Sequence, residues 1–287
     1  MTSTDLHDGF DHVGYYSENL SEAAARFSAM GFTVAPPSRF VEQPFATCAI
    51  VIGDAYISLS SVLDWDTAPD WMKLGMGRGL QAFVLRGHDL PAIFKRIGPD
   101  GNGTLQLDGE VQTIGRRVVV EGREDLARFR VLRLKRRSLP GLSRCNYCEH
   151  LTPELLWRPE LLQHANGALA IHTITAVHEN PASTLDFYRE LFGQAEITAG
   201  GDLLADCRST RLRLVTPARL KQVWPEIAPD FVPGEPLLAG VTLATSDLAA
   251  ARRVLQDAGI AGFATPSGGV AVPAADAYGA VVEFVPA

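Results

Sequence analysis

The sequence predicts an α+β protein built from four copies of a βαβββ module that pair into two domains. Two observations support this prediction. A pattern of strand, turn, helix ending at glycine and further strands recurs along the chain, and 287 residues suffice for two domains of ordinary size. The four copies are Gly9 to Leu63, Gly79 to Pro153, Ala168 to Pro217 and Leu237 to Ala287.

The first copy shows the elements of the pattern most clearly. His12 to Ser17 is apolar and aromatic, which is typical of a strand. Asn19 or Ser21 can cap the following helix, and Gly31 ends it, because glycine tolerates positive φ. In the last copy Asp247 is the expected cap. The pattern therefore predicts the same strand and helix order in each copy.

The domain boundary is expected in the segment between the second and third copies. This segment contains Pro159 and the turn-like pair Asn166-Gly167. We therefore predict one domain over residues 1–160 and a second over residues 161–287. The shorter connection between the third and fourth copies, residues 219–236, contains four prolines and predicts a packed helix with an irregular tail.

The composition is that of a globular protein that does not bind polyanions. Hydrophobic residues make up 46% of the chain and charged residues 21%. A net charge of −7 argues against nucleic acid or an anionic membrane as partner. We find neither a signal sequence nor an apolar run of about 20 residues that could span a bilayer. A cytoplasmic protein with free thiols is therefore expected.

Several segments carry a family resemblance. DHVGYYSENLSEAAARFSAMGF and DFYRELFG resemble the strand and helix of glyoxalase-type modules, and AADAYGAVVEFV resembles their final strand. The run EHLTPELLWRPELLQHANGA resembles the middle of a two-domain glyoxalase-like subfamily. The chain thus resembles the vicinal oxygen chelate superfamily over nearly its whole length. The resemblance implies two glyoxalase-like half-barrel domains, each made of two modules.

The resemblance also implies where functional side chains would lie. In metal-dependent members the first and last strands of each module direct His, Glu or Gln ligands towards a divalent ion. The ion polarises paired substrate oxygens, and a neighbouring base moves a proton. A divalent metal ion is therefore a possible cofactor, and no nucleotide cofactor is implied.

The N-terminal half retains part of this ligand pattern. His12 occupies the first-strand position of the first module, whereas Ser58 stands where relatives carry glutamate. In the second module the first-strand position falls at Ala82, and in the last strand either Glu149 or His150 could face inward. Strand alternation allows only one of the two. We take His12, His150 and Glu149 as candidate catalytic residues.

The C-terminal half retains less. Glu283 matches the family glutamate, but Thr173 and Gly240 stand at the other positions, and His172 is one residue out of register. The candidate metal ligands of the whole chain are therefore His12, His150 and Glu283. Glu283 could instead form an ion pair, for instance with Arg213. We expect no tightly bound metal in the C-terminal domain.

Two further features have structural interpretations. Cys145 and Cys148 form a C-x-x-C pair without the second pair that a zinc site needs, and we interpret them as strand residues. Basic residues alternate with apolar ones from Arg128 to Arg137, which predicts a strand with one solvated basic face.

Three functions remain open at this stage. The chain could be a lyase, isomerase or dioxygenase that acts on a small oxygenated metabolite and uses His12 with His150 or Glu149. Alternatively it could bind a drug or metabolite without catalysis, like the bleomycin-resistance type, or serve as a scaffold with an inactive site. A small-molecule ligand in the N-terminal cavity is the expected partner, and a homodimer is possible.

Overall fold

The computed structural model describes residues 6–69, 73, 79–136 and 139–287. Within these ranges the strands form two eight-stranded sheets, with helices packed against them. The predicted α+β class, with two glyoxalase-like half-barrels made of paired modules, is confirmed. No helix among the described residues is long and apolar enough to cross a membrane.

The first sheet contains the strands of the first two modules. Its strands are β1 (Gly9–Tyr16), β2 (Ser38–Arg39), β3 (Phe45–Ile52), β4 (Ala55–Val62), β5 (Gly79–Arg86), β6 (Gln112–Val120), β7 (Arg123–Arg133) and β8 (Cys145–His150). Its helices are α1 (Leu20–Ala29) and α2 (Leu90–Ile97). The strand order is β2-β3-β4-β1-β5-β8-β7-β6, with β1 antiparallel to β5. The first strands of the two modules therefore lie side by side at the centre of the sheet.

The second sheet repeats this arrangement. Its strands are β9 (Ala168–Val177), β10 (Ala195–Ile197), β11 (Leu203–Cys207), β12 (Thr210–Val215), β13 (Leu237–Thr245), β14 (Phe263–Ala264), β15 (Val270–Val272) and β16 (Val281–Pro286). Its helices are α3 (Leu185–Phe192), α4 (Pro217–Val223) and α5 (Leu248–Asp257). The order β10-β11-β12-β9-β13-β16-β15-β14 is that of the first sheet. The fourfold repeat of the sequence is therefore a repeat of the fold.

The helix ends follow the caps read from the sequence. The Asn19 side chain accepts hydrogen bonds from the backbone N–H groups of Ser21 and Glu22, which identifies Asn19 rather than Ser21 as the cap of α1. Asp247 caps α5 through the Ala250 N–H at 2.9 Å. Gly31 follows α1 with φ +87°, a conformation that favours glycine.

The apolar core runs through both sheets without a break. Phe32 stacks on Phe284 with ring centroids 5.8 Å apart. Phe83 meets Phe192 edge to face at 5.7 Å. The strands of the two sheets separate near the expected boundary, but the apolar core is continuous across it. The domain limits 1–160 and 161–287 therefore stay a prediction.

The outer faces of the two sheets differ. On the second sheet the face away from the shared core is covered by α4 and by Trp224, which pack on Val177, Val215 and Val281. Trp224 lies so close that a Cβ on Gly240 would stand 2.5 Å from its ring. The predicted helix between the third and fourth copies is confirmed as α4, and it fills the hollow of the second half-barrel.

The single basic face predicted for β7 is wrong. Arg128 is exposed and Arg130 half-buried, whereas Arg133 is buried on the hollow side of the sheet. Arg130 and Arg133 are three residues apart, so strand alternation puts them on opposite faces. Arg137 lies outside the described residues.

His7 joins the segment before β1 to the second sheet. It is buried, accepts a hydrogen bond from the Gly9 N–H at 3.0 Å and lies 3.9 Å from the Cys207 Sγ. Burial, and then the nearby Arg208, lower the pKa of His7 from 6.5 to about 4. The folded state therefore favours the neutral imidazole.

This pKa shift predicts a loss of stability in acid. Below pH 6.5 the unfolded chain takes up a proton at His7 before the folded chain does, so the free energy of unfolding falls by up to ~3 kcal/mol between pH 6.5 and about 4. His7→Gln keeps an acceptor for the Gly9 N–H and should remove this part of the pH dependence of the free energy of unfolding. Urea unfolding at a series of pH values measures it. The exposed His172→Gln is the control. Identical slopes for His7→Gln and the wild type would contradict the prediction.

Candidate functional site

The open hollow of the first sheet holds the candidate site. Along β1, Val13 and Tyr15 enter the shared core, while His12 and Gly14 face the other way and line a cavity of about 90 Å³. Tyr56 and Ser58 of β4 and residues of β5 to β8 complete the lining. A cavity of this size accepts a small molecule of a few heavy atoms and excludes a large drug, since drug sites measure roughly 300–1,000 Å³.

A β-bulge places Asp11 beside His12. The pairing of β1 with β5 shifts between Phe10 and His12, which leaves Asp11 as an extra residue. Its carboxylate is fully buried. One oxygen lies 2.6 Å from the Nδ1 of His12, and both lie 3.1 Å from the Nε2 of His150. Asp11 therefore links the two histidines from adjoining modules.

These contacts set the charge of the carboxylate. Burial by itself would raise the pKa of Asp11, but His150 and the hydrogen bonds from both imidazoles outweigh it and hold the pKa well below the usual range. An ionised carboxylate only accepts hydrogen bonds, so both ring nitrogens that face it donate. Arg86 adds a third donor, with its Nε 3.3 Å from Asp11.

His12 is held in one orientation. Its Nδ1 donates to Asp11, and its ring stacks on Tyr56 with centroids 4.2 Å apart. The opposite ring nitrogen, Nε2, is the one available to a ligand in the cavity. Burial lowers the pKa of His12, although Asp11 opposes this effect. The neutral imidazole with a free Nε2 lone pair is therefore the favoured form.

His150 is enclosed by aromatic rings. Trp157 and Phe129 approach it edge to face at 4.7 and 5.0 Å. Its side chain is 6% exposed, against 16% for His12. His150 therefore holds Asp11 in place and does not reach the cavity itself.

Of the two alternatives in β8, His150 is the one that faces the hollow. Glu149 lies on the opposite face, where its carboxylate accepts from the Leu90 N–H at the start of α2 and from Arg130. The Leu90 N lies 3.2 Å from one carboxylate oxygen of Glu149, and the Arg130 Nη1 lies 3.1 Å from the other. The structure therefore does not bring the candidate catalytic residue Glu149 to His12, because adjacent strand residues point to opposite faces.

Glu283 lies in the second sheet, away from His12 and His150. Its carboxylate accepts from the Thr242 hydroxyl at 2.8 Å, the Trp224 Nε1 at 3.2 Å and the Ser267 hydroxyl at 2.5 Å. The suggested ion pair with Arg213 is wrong, since Arg213 binds Asp202. Of the three candidate metal ligands, the structure brings together only His12 and His150.

Two site residues were missed by the sequence analysis. Asp11 precedes a recognised histidine, but regular alternation would have pointed it away from the cavity. Arg116 of β6 lies in the cavity wall, is 3% exposed and has its guanidinium 5.4 Å from the Phe129 ring centre. Burial lowers the pKa of Arg116. A basic pair, Arg116-Arg117, in an apolar strand was the available signal.

Among the described residues, Asp11, Cys148 and His150 form a possible metal-ligand group. Their ligand atoms lie within 4.8 Å of one another. The group fits a divalent ion poorly, because both Asp11 oxygens already accept from imidazole N–H groups. In addition, burial raises the pKa of the Cys148 thiol well above its usual value, and the thiolate is the form that binds metal.

Two solved structures that cover nearly the whole chain support this fold. A hypothetical protein from Staphylococcus aureus superposes with TM-score 0.67 and 12% identity over 97% of this chain and 99% of its own. A mutant of 4-hydroxymandelate synthase from Streptomyces coelicolor superposes with TM-score 0.59 and 12% identity, over 99% of this chain and 92% of its own. Methylmalonyl-CoA epimerase from Mycobacterium tuberculosis has a TM-score of 0.39 and 21% identity, over 52% of this chain and 92% of its own. No curated protein matches the sequence.

The family assignment comes from the sequence match. The model of the glyoxalase-like domain matches residues 10–192, which is more than half of the chain and includes β1, β8 and both histidines that bind Asp11. The chain therefore belongs to the glyoxalase-like domain family, within the vicinal oxygen chelate superfamily.

Proposed function

We propose that the chain is an enzyme that uses His12 as a general base on a small organic acid. The observation that carries this proposal is the Asp11–His12 pair at the edge of a cavity that also contains the buried cation Arg116. A base and a positive charge in one small cavity are the two groups that proton abstraction next to a carboxylate requires.

The Asp11–His12 pair supports the base. The lowered pKa of His12 favours the neutral form, so Nε2 can accept a proton at neutral pH. The ionised carboxylate of Asp11 stabilises the imidazolium that forms, and it fixes the tautomer in which Nδ1 carries the hydrogen. His150 acts as a positioning residue, because its Nε2 lies 3.1 Å from both oxygens of Asp11 and so fixes the carboxylate.

Arg116 and two amides support an acid with a hydroxyl or carbonyl group. The Arg116 Nε has no hydrogen-bond partner among the described residues, and a carboxylate can supply one. The amide oxygens of Gln43 and Asn146 line the same cavity and likewise lack partners in the described part of the chain. A 2-hydroxy acid offers an anion to Arg116 and a hydroxyl donor to the amides.

The proposed step breaks the C–H bond next to the carboxylate. The proton moves to the Nε2 of His12, and the electron pair moves onto the carboxylate oxygens, where Arg116 stabilises the charge. Return of a proton on the opposite face inverts the configuration at that carbon, whereas return on the same face restores the substrate. Where the next carbon carries a leaving group, the electron pair instead forms a carbon–carbon double bond and the group departs with its bonding electrons, which gives a lyase product. This step matches the lyase or isomerase alternative among the activities expected from the sequence.

Ligand binding without catalysis is the second candidate. Ser58 replaces the expected glutamate and joins a row of hydroxyls, with Thr47 at 2.8 Å and Ser60 at 3.4 Å. Such a row can bind a polar ligand by hydrogen bonds alone. The cavity of about 90 Å³ restricts that ligand to a small metabolite and argues against a bulky drug.

Solvent exchange tests the general base without knowledge of the product. In D₂O, the wild type is expected to exchange the Cα hydrogen of a member of a panel of 2-hydroxy acids, as followed by ¹H NMR. His12→Ala should lower the exchange rate at least ~100-fold, the usual scale for an acid–base residue. His172→Ala, on the outside of the second sheet, is the control. Binding of the acids without any exchange would leave only the second candidate.

Metal content tests how Asp11 and His150 are used. Because both Asp11 oxygens accept imidazole hydrogens, we expect elemental analysis of purified protein to find no stoichiometric transition metal, and we expect chelation to leave exchange unchanged. One metal per chain that is lost in Cys148→Ser would contradict this expectation and favour a metal-dependent reaction.

A further inference from the structure

A second, larger space adjoins the candidate site. A cleft of about 800 Å³ lies between the connection from β7 to β8 and the second sheet. Arg133 and Arg144 line both the cleft and the smaller cavity. The two spaces therefore adjoin at these arginines.

Positive charge is concentrated at this junction. Arg133 is 6% exposed, and its Nη1 donates to the neutral side chain of Gln112 at 2.6 Å. Burial, and then repulsion from Arg133 and Arg136, lower the pKa of Arg144 to about 10. Arg133 and Arg136 thus disfavour the charged form of Arg144, and an anion placed beside Arg144 would offset this repulsion.

The acidic residues of the cleft do not line the small cavity. Glu179 follows β9 and Glu235 precedes β13, so both belong to the wall of the cleft on the side of the second sheet. Asp108 lines the cleft but not the cavity. Asp108 partly offsets the charge of Arg133. Among the described residues that line the small cavity itself there is no Asp or Glu.

The distance between the junction and the base can be read along β1. The Nη2 of Arg144 lies 3.7 Å from the place where a Cβ on Gly14 would stand. Gly14 is the next residue after His12 on the same face of the strand, and two strand residues span roughly 7 Å. The guanidinium of Arg144 therefore lies within the length of a small metabolite from His12.

We propose that the substrate is a small dianion, whose second anionic group binds between Arg133 and Arg144. This inference rests on the proposed function, in which the first carboxylate binds at Arg116 beside His12. The span of roughly 7 Å from His12 to Gly14 along β1 is of the order of the length of a five-carbon diacid, in which three carbons separate the two carboxylates. The cleft is then the route by which the dianion enters.

The wild type can test this without any substitution. 2-Hydroxyglutarate and 2-hydroxyvalerate share one carbon chain and differ in a terminal carboxylate. Isothermal titration calorimetry should show 2-hydroxyglutarate binding at least about tenfold more tightly, because it gains charge-assisted hydrogen bonds from two arginines. Equal affinities for the two acids would overturn the proposal.

Variants then locate the effect. Arg144→Gln should abolish the preference for 2-hydroxyglutarate, measured as the ratio of its affinity to that of 2-hydroxyvalerate. Arg128→Gln, at an exposed arginine on the face of β7 opposite the cavity, is the matched control and should keep the preference. A preference that survives in folded Arg144→Gln would also overturn the proposal.

The same titrations separate this inference from the proposed function. If both acids bind equally and Arg116→Gln weakens both, the proposed carboxylate site stands and the dianion is excluded. If neither acid binds to the wild type, both proposals fail.

Discussion

The candidate site depends on one buried carboxylate that two histidines share. Asp11 is fully enclosed, and its oxygens are satisfied by His12 from its own strand, by His150 from the last strand of the second module and by Arg86. A carboxylate in such surroundings is strongly disfavoured without partners. The pairing of the two modules supplies these partners, because it brings β8 beside β5 and β5 beside β1. The fold of the first half-barrel and the orientation of its base are thus set by the same contacts.

The two halves of the chain have the same strand order but different hollows. In the first, small side chains such as Gly14, Ser58 and Ala82 leave a polar cavity open. In the second, Trp224 occupies the corresponding face, and Glu283 is held by three neighbouring donors. Filling this hollow adds apolar packing to the second half-barrel. We infer that the hollow of the second sheet serves packing, while that of the first is left open for a ligand.

Much of the fold followed from the sequence, because hydrophobic repeats, caps and terminal glycines are local signals. The family resemblance placed His12 at a ligand position, and strand alternation limited β8 to one inward residue out of Glu149 and His150. These signals could not identify Asp11, because a bulge depends on pairing with a distant strand, here β5. They could not place Arg133 in the cavity either, because the sequence does not show which basic residues of β7 face the cavity and which face the other side of the sheet. The role of Trp224 depended on tertiary packing against Gly240.

The tautomer of His12 tests the central claim most directly. ¹⁵N NMR of imidazole-labelled protein at pH 7, with His12 assigned from a His12→Gln variant, reports which ring nitrogen carries hydrogen. The account predicts a neutral His12 with hydrogen on Nδ1 and a free lone pair on Nε2, because Asp11 accepts from Nδ1 and burial disfavours the imidazolium. Hydrogen on Nε2 alone, or an imidazolium at pH 7, would contradict it, since neither form can accept a proton from a ligand in the cavity.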